Sequence, residues 1–172
     1  IHRAYHALPE FLSSKGEPTG ALYGLSSMLM KIVTDLKPDY IVACYDLPQK
    51  TFRHEIYDDY KAGRAKTDDA LITQLKNSRQ IFDAFDVPIY DAPGFEADDL
   101  LGTIVEQYKK DKNINIIIAS GDMDTMQLVD DNISMLDTMK NRVIKHDDVV
   151  EKFGVAPNRV IDVQALAGDS SD

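Results

Sequence analysis

Apolar positions recur along this chain in two alternating rhythms. Leu22, Leu25, Leu29, Ile32, Val33 and Leu36 stand at helical spacing and predict a helix over 21–36. Tyr40 to Tyr45 is a short apolar run that reads as a strand ending at Asp46. From Leu47 to Lys66 the periodicity is lost, which predicts a mobile loop or irregular helices. Thr67 is placed to cap a helix reaching about Phe85, with Asp68 and Asp69 favourable in its first turn. Val87 to Tyr90 reads as a strand, and Pro93-Gly94 as a turn. Glu96 to Lys110 is a predicted helix, and Ile114 to Ser120 a buried strand ending at Gly121-Asp122. Ile133–Leu136 and Arg142–Lys145 suit a hairpin across Met139-Lys140-Asn141. Two short helices follow, near Asp147–Phe153 and Asn158–Ala167, separated by Gly154 and Pro157. Helices alternating with strands predict an α/β fold built on a parallel sheet. Asp46 and Asp122 then fall just past the C-terminal ends of strands, where open parallel sheets bind their ligands.

Composition narrows this picture. The 172 residues fit one domain, and a 44% hydrophobic share supplies a core. No apolar run approaches the roughly 20 residues of a membrane span, and no signal peptide is visible. Cys44, the only cysteine, lies among apolar residues and reads as a small core hydrophobe; a reducing cytoplasm is expected. The net charge of −10 argues at first against a nucleic-acid partner. The distribution of charge reverses that. Setting aside Asp46, Glu96, Asp98, Asp99, Asp122, Asp124, Asp169 and Asp172 leaves −2. Lys50, Arg53, Lys61, Arg64 and Lys66, with His54 among them, crowd the aperiodic segment.

Those eight acids are the candidate chemistry. Each group read alone has a bland explanation: acids complementing a helix dipole, side-chain caps in a turn, or a solvated chain end. Their conjunction suggests more, because each follows an apolar element and could meet the others at one sheet edge. Asp98 also shares a helix face with Leu101 and Val105, which turns it toward the core edge. Two carboxylates about 5 Å apart repel by roughly 0.8 kcal/mol in water and about 3 kcal/mol at an effective dielectric of 20, so such a cluster calls for a counter-ion. Oxygen donors without a His/Cys group suit Mg²⁺ or Mn²⁺ and argue against zinc. A pair of such ions is expected, one activating a water and the other stabilising a leaving oxygen, as in phosphodiester cleavage.

At this point the residues match a known family. His2-Arg3-Ala4-Tyr5-His6-Ala7-Leu8-Pro9, Gly16-Glu17-Pro18-Thr19-Gly20-Ala21-Leu22-Tyr23-Gly24, Phe52-Arg53-His54-Glu55 and Tyr60-Lys61-Ala62-Gly63-Arg64 stand in order along the chain. Gly94-Phe95-Glu96-Ala97-Asp98-Asp99, Gly121-Asp122-Met123-Asp124 with Gln127-Leu128, and Gly168-Asp169-Ser170-Ser171-Asp172 follow them. Together these resemble the 5′-nuclease (flap endonuclease) domain at the N-terminus of bacterial DNA polymerase I. The resemblance implies a PIN-like (resolvase-like) three-layer α/β/α fold, with a mainly parallel central sheet and a helical arch over 47–66. It implies a structure-specific 5′-3′ exonuclease and flap endonuclease acting in replication and repair, as in Okazaki-fragment primer removal. The partner would be DNA with a 5′ flap or end, the setting the bacterial cytoplasm, and a polymerase domain would lie in cis. Asp46, Glu96, Asp98, Asp99 and Asp122 would serve a first metal site; Asp122, Asp124, Asp169 and Asp172 a second. Lys61 and Arg64 would reach the scissile phosphate. Arg3 would touch phosphate, His2 would stand at a base-stacking position, and Arg53 and Tyr60 would belong to the DNA-binding arch.

The resemblance also carries departures. The family's first strand and its ligand Asp would precede Ile1, and a helix-three-turn-helix would follow Asp172, so weak or absent activity is expected of the chain alone. Met123 occupies a position where Lys is common, with little effect expected. Two other readings stay open. Asp122-Met123-Asp124-Thr125 also suits a haloacid-dehalogenase-like phosphatase with Asp122 as nucleophile, and a degenerate DNA-binding module would keep the arch without the chemistry. Tyr5, Tyr57 and Tyr60 suit packing or base stacking alike.

Overall fold

The structure, a computed structural model, describes residues 1–9, 11–64 and 66–168. Its first elements are α1 (His2–Ala7), α2 (Gly20–Lys31), β1 (Ala43–Cys44), α3 (Phe52–Ile56), α4 (Asp69–Ala84) and β2 (Ile89–Tyr90). Then come α5 (Ala97–Tyr108), β3 (Ile116–Ala119), β4 (Ile133–Asp137), β5 (Arg142–Ile144), α6 (His146–Phe153) and α7 (Val160–Ala167). A π-helical turn (Ile32–Leu36) ends α2, and 3₁₀ turns span Met123–Leu128 and Pro157–Arg159. The fold class is α/β, as the alternation predicts, and both sheets contain parallel pairing. The chain divides into two compact units: Ile1–Tyr45 with Ala65–Tyr90, and Asp46–Arg64 with Asp91–Asp172.

In the first unit, Leu25 and Leu29 of α2 join Phe82 of α4, Val87 and Ala43 of β1 in one core. The predicted 21–36 helix therefore has its expected buried face, but its last turn widens and closes on Lys37 in the left-handed conformation (φ 46°). Thr19 gives α2 no side-chain cap. Gln74 of α4 supplies one instead: its buried Oε1 accepts from the Ala21 N–H at 2.8 Å and from Leu22 at 3.4 Å. Those donors have no partner within their own helix, so a distant amide completes the helix start. Gly24 is needed for close approach, since a Cβ there would stand 2.6 Å from the Ala4 Cβ of α1. The cap of α4 is Asp68, which accepts from Ala70 N at 2.7 Å, and not Thr67. Its carboxylate takes the N2 donor and complements the dipole, which a hydroxyl one residue earlier cannot match. The 40–45 strand shrinks to Ala43–Cys44, because its parallel partner β2 offers two residues.

In the second unit, β3 pairs parallel with β4, and β4 turns back antiparallel onto β5, giving the predicted hairpin. One core gathers Met126, Val129, Met135, Ile144, Val149 and Val160; a smaller one joins Val105 of α5 to Ile118 and Ile133. The β3 run was expected to be buried throughout. Only alternate residues are covered: Ile118 is 4% exposed and Ile117 43%. Strand side chains point to opposite faces, and the core with Val105 occupies the face that Ile118 presents. α6 ends at Gly154 in the left-handed conformation (φ 73°), the residue best suited to that cap.

Candidate metal and phosphate site

All the described candidate acids belong to the second unit. α5 follows the turn Pro93-Gly94; Glu96 is its N-cap, and Asp98 and Asp99 lie in its first turn. Asp46, 51 residues from Ala97, places Oδ1 2.7 Å from the Ala97 N–H. An acid from a separate segment thus caps α5 and lies against its positive end. On the far side of β3, Asp122 starts the 3₁₀ turn. Its N–H donates to Ser120 Oγ at 3.0 Å, and its Oδ1 accepts from Asp124 N at 3.0 Å. Buried Thr125 donates to the Asp122 carbonyl at 2.7 Å, tying the turn to the core.

Asp98 records how these acids meet. Desolvation and the negative charges of Asp122, Asp46, Asp124 and Glu96 push its pKa from 3.8 up to about 6. Because Asp98 keeps an exposed surface, its hydration is only partly lost. Burial is the first cause of the rise, and the like-charge crowd supplies the rest. Four carboxylates from three chain segments act on the Asp98 carboxyl.

Glu96 and Asp99 are held differently. The arch segment brings cations onto them. Arg53 of α3 grips Asp99 with both fork nitrogens, at 2.8 and 2.7 Å, and its Nη1 lies 3.6 Å from Glu96. Lys61 donates to Glu96 Oε1 at 2.7 Å, and the Tyr60 hydroxyl donates to Glu96 Oε2 at 3.1 Å. Arg53 holds the Asp99 pKa below the ordinary aspartate value. For Lys61, desolvation lowers the pKa and Glu96 raises it; the balance is upward, so the ammonium stays charged. Lys61 itself takes a left-handed backbone (φ 59°), a conformation that costs a side-chain-bearing residue about 1 kcal/mol or more.

The donor set is all oxygen, which fits a hard divalent cation, and the crowding at Asp98 calls for positive charge. The geometry is open, however: among the described residues, no three His, Cys, Asp or Glu side chains converge tightly enough to ligate an ion together. Asp46, Glu96, Asp99 and Asp122 each accept a hydrogen bond from the protein.

The remaining predicted residues fall as follows. Arg64 lies exposed at the end of the arch turns, and His2 and Arg3 stand on α1 of the first unit. The His2 ring tilts against His6 at 4.6 Å. Asp169 and Asp172 lie outside the described residues. Two contributors escaped the sequence reading. Gln164 of α7 donates to Asp124 Oδ1. Thr125 braces Asp122 from beneath. Gln164 had a signal in its place one turn before Gly168-Asp169; Thr125 looks like any buried threonine.

Comparison with known proteins bears on the family and the fold. The family model described as the 5′-3′ exonuclease, N-terminal resolvase-like domain, matches residues 1–154. A 5′-3′ exonuclease of Aquifex aeolicus is 37% identical over 172 residues, covering 100% of this chain and 59% of its own length. A DNA polymerase I of Rhizobium leguminosarum is 40% identical over 180 residues, covering 100% of this chain and 18% of its own length. The chain thus spans between about a fifth and three fifths of these relatives. Among solved structures, the T5 D15 protein co-crystallised with metal ions superposes with a TM-score of 0.76 at 21% identity, over 92% of this chain and 61% of that one. T5 5′-exonuclease with bound divalent zinc gives 0.68 at 22% identity, over 87% and 59%. At such identities these structures speak for the fold alone. The match of the family model across most of the chain goes further: this chain belongs to the 5′-3′ exonuclease N-terminal resolvase-like domain family.

Proposed function

We propose that this chain carries the catalytic acids of a divalent-metal-dependent, structure-specific 5′-3′ exonuclease and flap endonuclease. The observation that carries the reading is the crowding at Asp98, where Asp122, Asp46, Asp124 and Glu96 add their charge to one carboxyl. Like charges assembled at a cost to the fold, in a family of nucleases, have their best use in gathering cations that meet phosphate. Asp46, Glu96, Asp98, Asp122 and Asp124 would hold two Mg²⁺ or Mn²⁺ ions together with Asp169 and Asp172. Bound there, the ions supply Lewis acidity and an activated water for phosphodiester hydrolysis. Lys61 and Arg64 would neutralise the scissile phosphate, and Tyr60, Arg53, His2 and Arg3 would contact the strand. No covalent enzyme intermediate is needed. Relatives named DNA polymerase I support a polymerase domain in cis; on this reading the chain acts on 5′ flaps or ends during bacterial DNA replication and repair. No described helix is long and apolar enough to cross a membrane. Membership of the nuclease family leaves the phosphatase reading of Asp122 without support.

The decisive assay incubates a 5′-flap duplex with Mg²⁺ and compares the full-length protein with its Asp98→Ala and Asp122→Ala forms. Each substitution is expected to lower cleavage at least a hundredfold. Equal cleavage by all three would overturn the proposal. Salt-sensitive flap binding without cleavage in Mg²⁺ or Mn²⁺ would favour a binding module instead.

A further inference from the structure

Asp98 and Asp99 are neighbours in sequence, yet they do opposite things. Successive residues of a helix project about 100° apart, so the two carboxylates face different surroundings. Asp98 faces the other acids. Asp99 faces the arch, and its oxygens are largely taken: Oδ2 accepts from Arg53 Nη1 at 2.8 Å and from the Glu96 N–H at 2.9 Å, and Oδ1 accepts from Arg53 Nη2 at 2.7 Å. A carboxylate offers about four acceptor positions, so little remains for an ion. The same junction is reinforced nearby. Phe52 N–H donates to the Gly94 carbonyl at 3.0 Å, Phe52 and Phe95 rings meet at 5.7 Å, and the Arg53 guanidinium lies 4.6 Å over the Phe52 ring. Downstream of this anchored start, the arch returns Tyr60 and Lys61 to Glu96.

We propose that Asp99 is a positioning residue for the arch and not a metal ligand: by clasping Arg53 it docks α3 on the start of α5 and so delivers Lys61 and Tyr60 to the acid cluster. The contrast with Asp98 rests on the metal reading above, whereas the clasp itself rests only on the contacts just described. A bidentate arginine–carboxylate pair is geometrically demanding, so Arg53→Lys, which keeps the charge and loses the fork, should behave like a loss of the clasp.

The test uses two readouts on the full-length protein: tryptic cutting after Lys61 and Arg64 in EDTA, followed by mass spectrometry, and Mn²⁺ binding followed by electron paramagnetic resonance. Asp99→Asn is expected to speed cutting of the arch about tenfold. Arg53→Met should do the same, and the double variant should cut no faster than either single one, as expected of one shared interaction. Mn²⁺ dissociation constants should stay within about twofold for Asp99→Asn, while Asp98→Asn weakens binding tenfold or more with little change in cutting. Unchanged arch cutting in Asp99→Asn would overturn the proposal. So would Mn²⁺ loss in Asp99→Asn equal to that in Asp98→Asn. If Asp98→Asn leaves Mn²⁺ binding intact, the metal reading of the acids fails, and the clasp is still judged by the cutting rates and their non-additivity. Should Asp99→Asn not fold, Arg53→Lys tests the same contact from its other side.

Discussion

Replacing Asp98 by Asn should have opposite effects on stability with and without metal. In EDTA, the wild-type carboxyl titrates near 6 in the folded chain and near 3.8 when unfolded. The native state therefore binds more protons between those values, and stability falls as pH rises through that window. At pH 7.5 Asp98 is charged among Asp122, Asp46, Asp124 and Glu96, and its presence is a net cost. Discounted to about a third for solvent exposure and salt, that rise is worth about 1 kcal/mol. Asn keeps the shape and removes the charge. The metal-free variant should therefore melt about 2–4 °C higher than wild type at pH 7.5, and the gain should vanish near pH 4. Adding Mg²⁺ at ten times its dissociation constant should stabilise wild type by about 1.4 kcal/mol, whereas the variant should gain little. Differential scanning calorimetry of both proteins, in EDTA and in Mg²⁺, gives all four values. A variant less stable than wild type in EDTA, or an equal Mg²⁺ gain in both, would refute the account of Asp98 as a charge held for a cation.

Other consequences can be checked separately. Gln74→Leu leaves the buried Ala21 N–H without its acceptor and should cost roughly 2 kcal/mol, read as a lower urea midpoint with an unchanged slope. Gly24→Val places a Cβ against Ala4 and should loosen α1 from α2, at a cost of about 1–3 kcal/mol; faster amide exchange across 2–8 is the expected sign. Arg53 depresses the Asp99 pKa, so the stability from that pair is present above the unfolded aspartate value and is lost as pH falls below about 4. The stability difference between wild type and Arg53→Met should accordingly shrink progressively as pH is lowered below 4 in chemical denaturation. Lys61→Met should leave the melting temperature within a few degrees and reduce flap cleavage at least tenfold, since a partly exposed ion pair such as Lys61–Glu96 adds little to stability.

Much of this protein is legible in its sequence, because some signals are local. The apolar spacing of Leu25 and Leu29, the strand-like run before Gly121-Asp122 and the turn residues at Pro93-Gly94 and Gly154 place elements wherever they fold. Burial of an apolar stripe depends on the stripe itself far more than on which partner covers it. The acids were visible for the same reason: Glu96, Asp98, Asp99, Asp122 and Asp124 stand at the ends of those elements. What each carboxylate does was not local. Asp46 caps α5 from 51 residues away, Gln74 caps α2 from 53, and Arg53 reaches Asp99 across 46. A polar side chain can satisfy itself in many ways, and only the tertiary structure chooses among donors that sequence leaves equivalent. So the chain by itself marked where most of its helices and strands lie and which acids stand at their ends. The packed structure decided that Asp98 bears that crowd while Asp99, one residue on and about 100° around the helix, is given to an arginine.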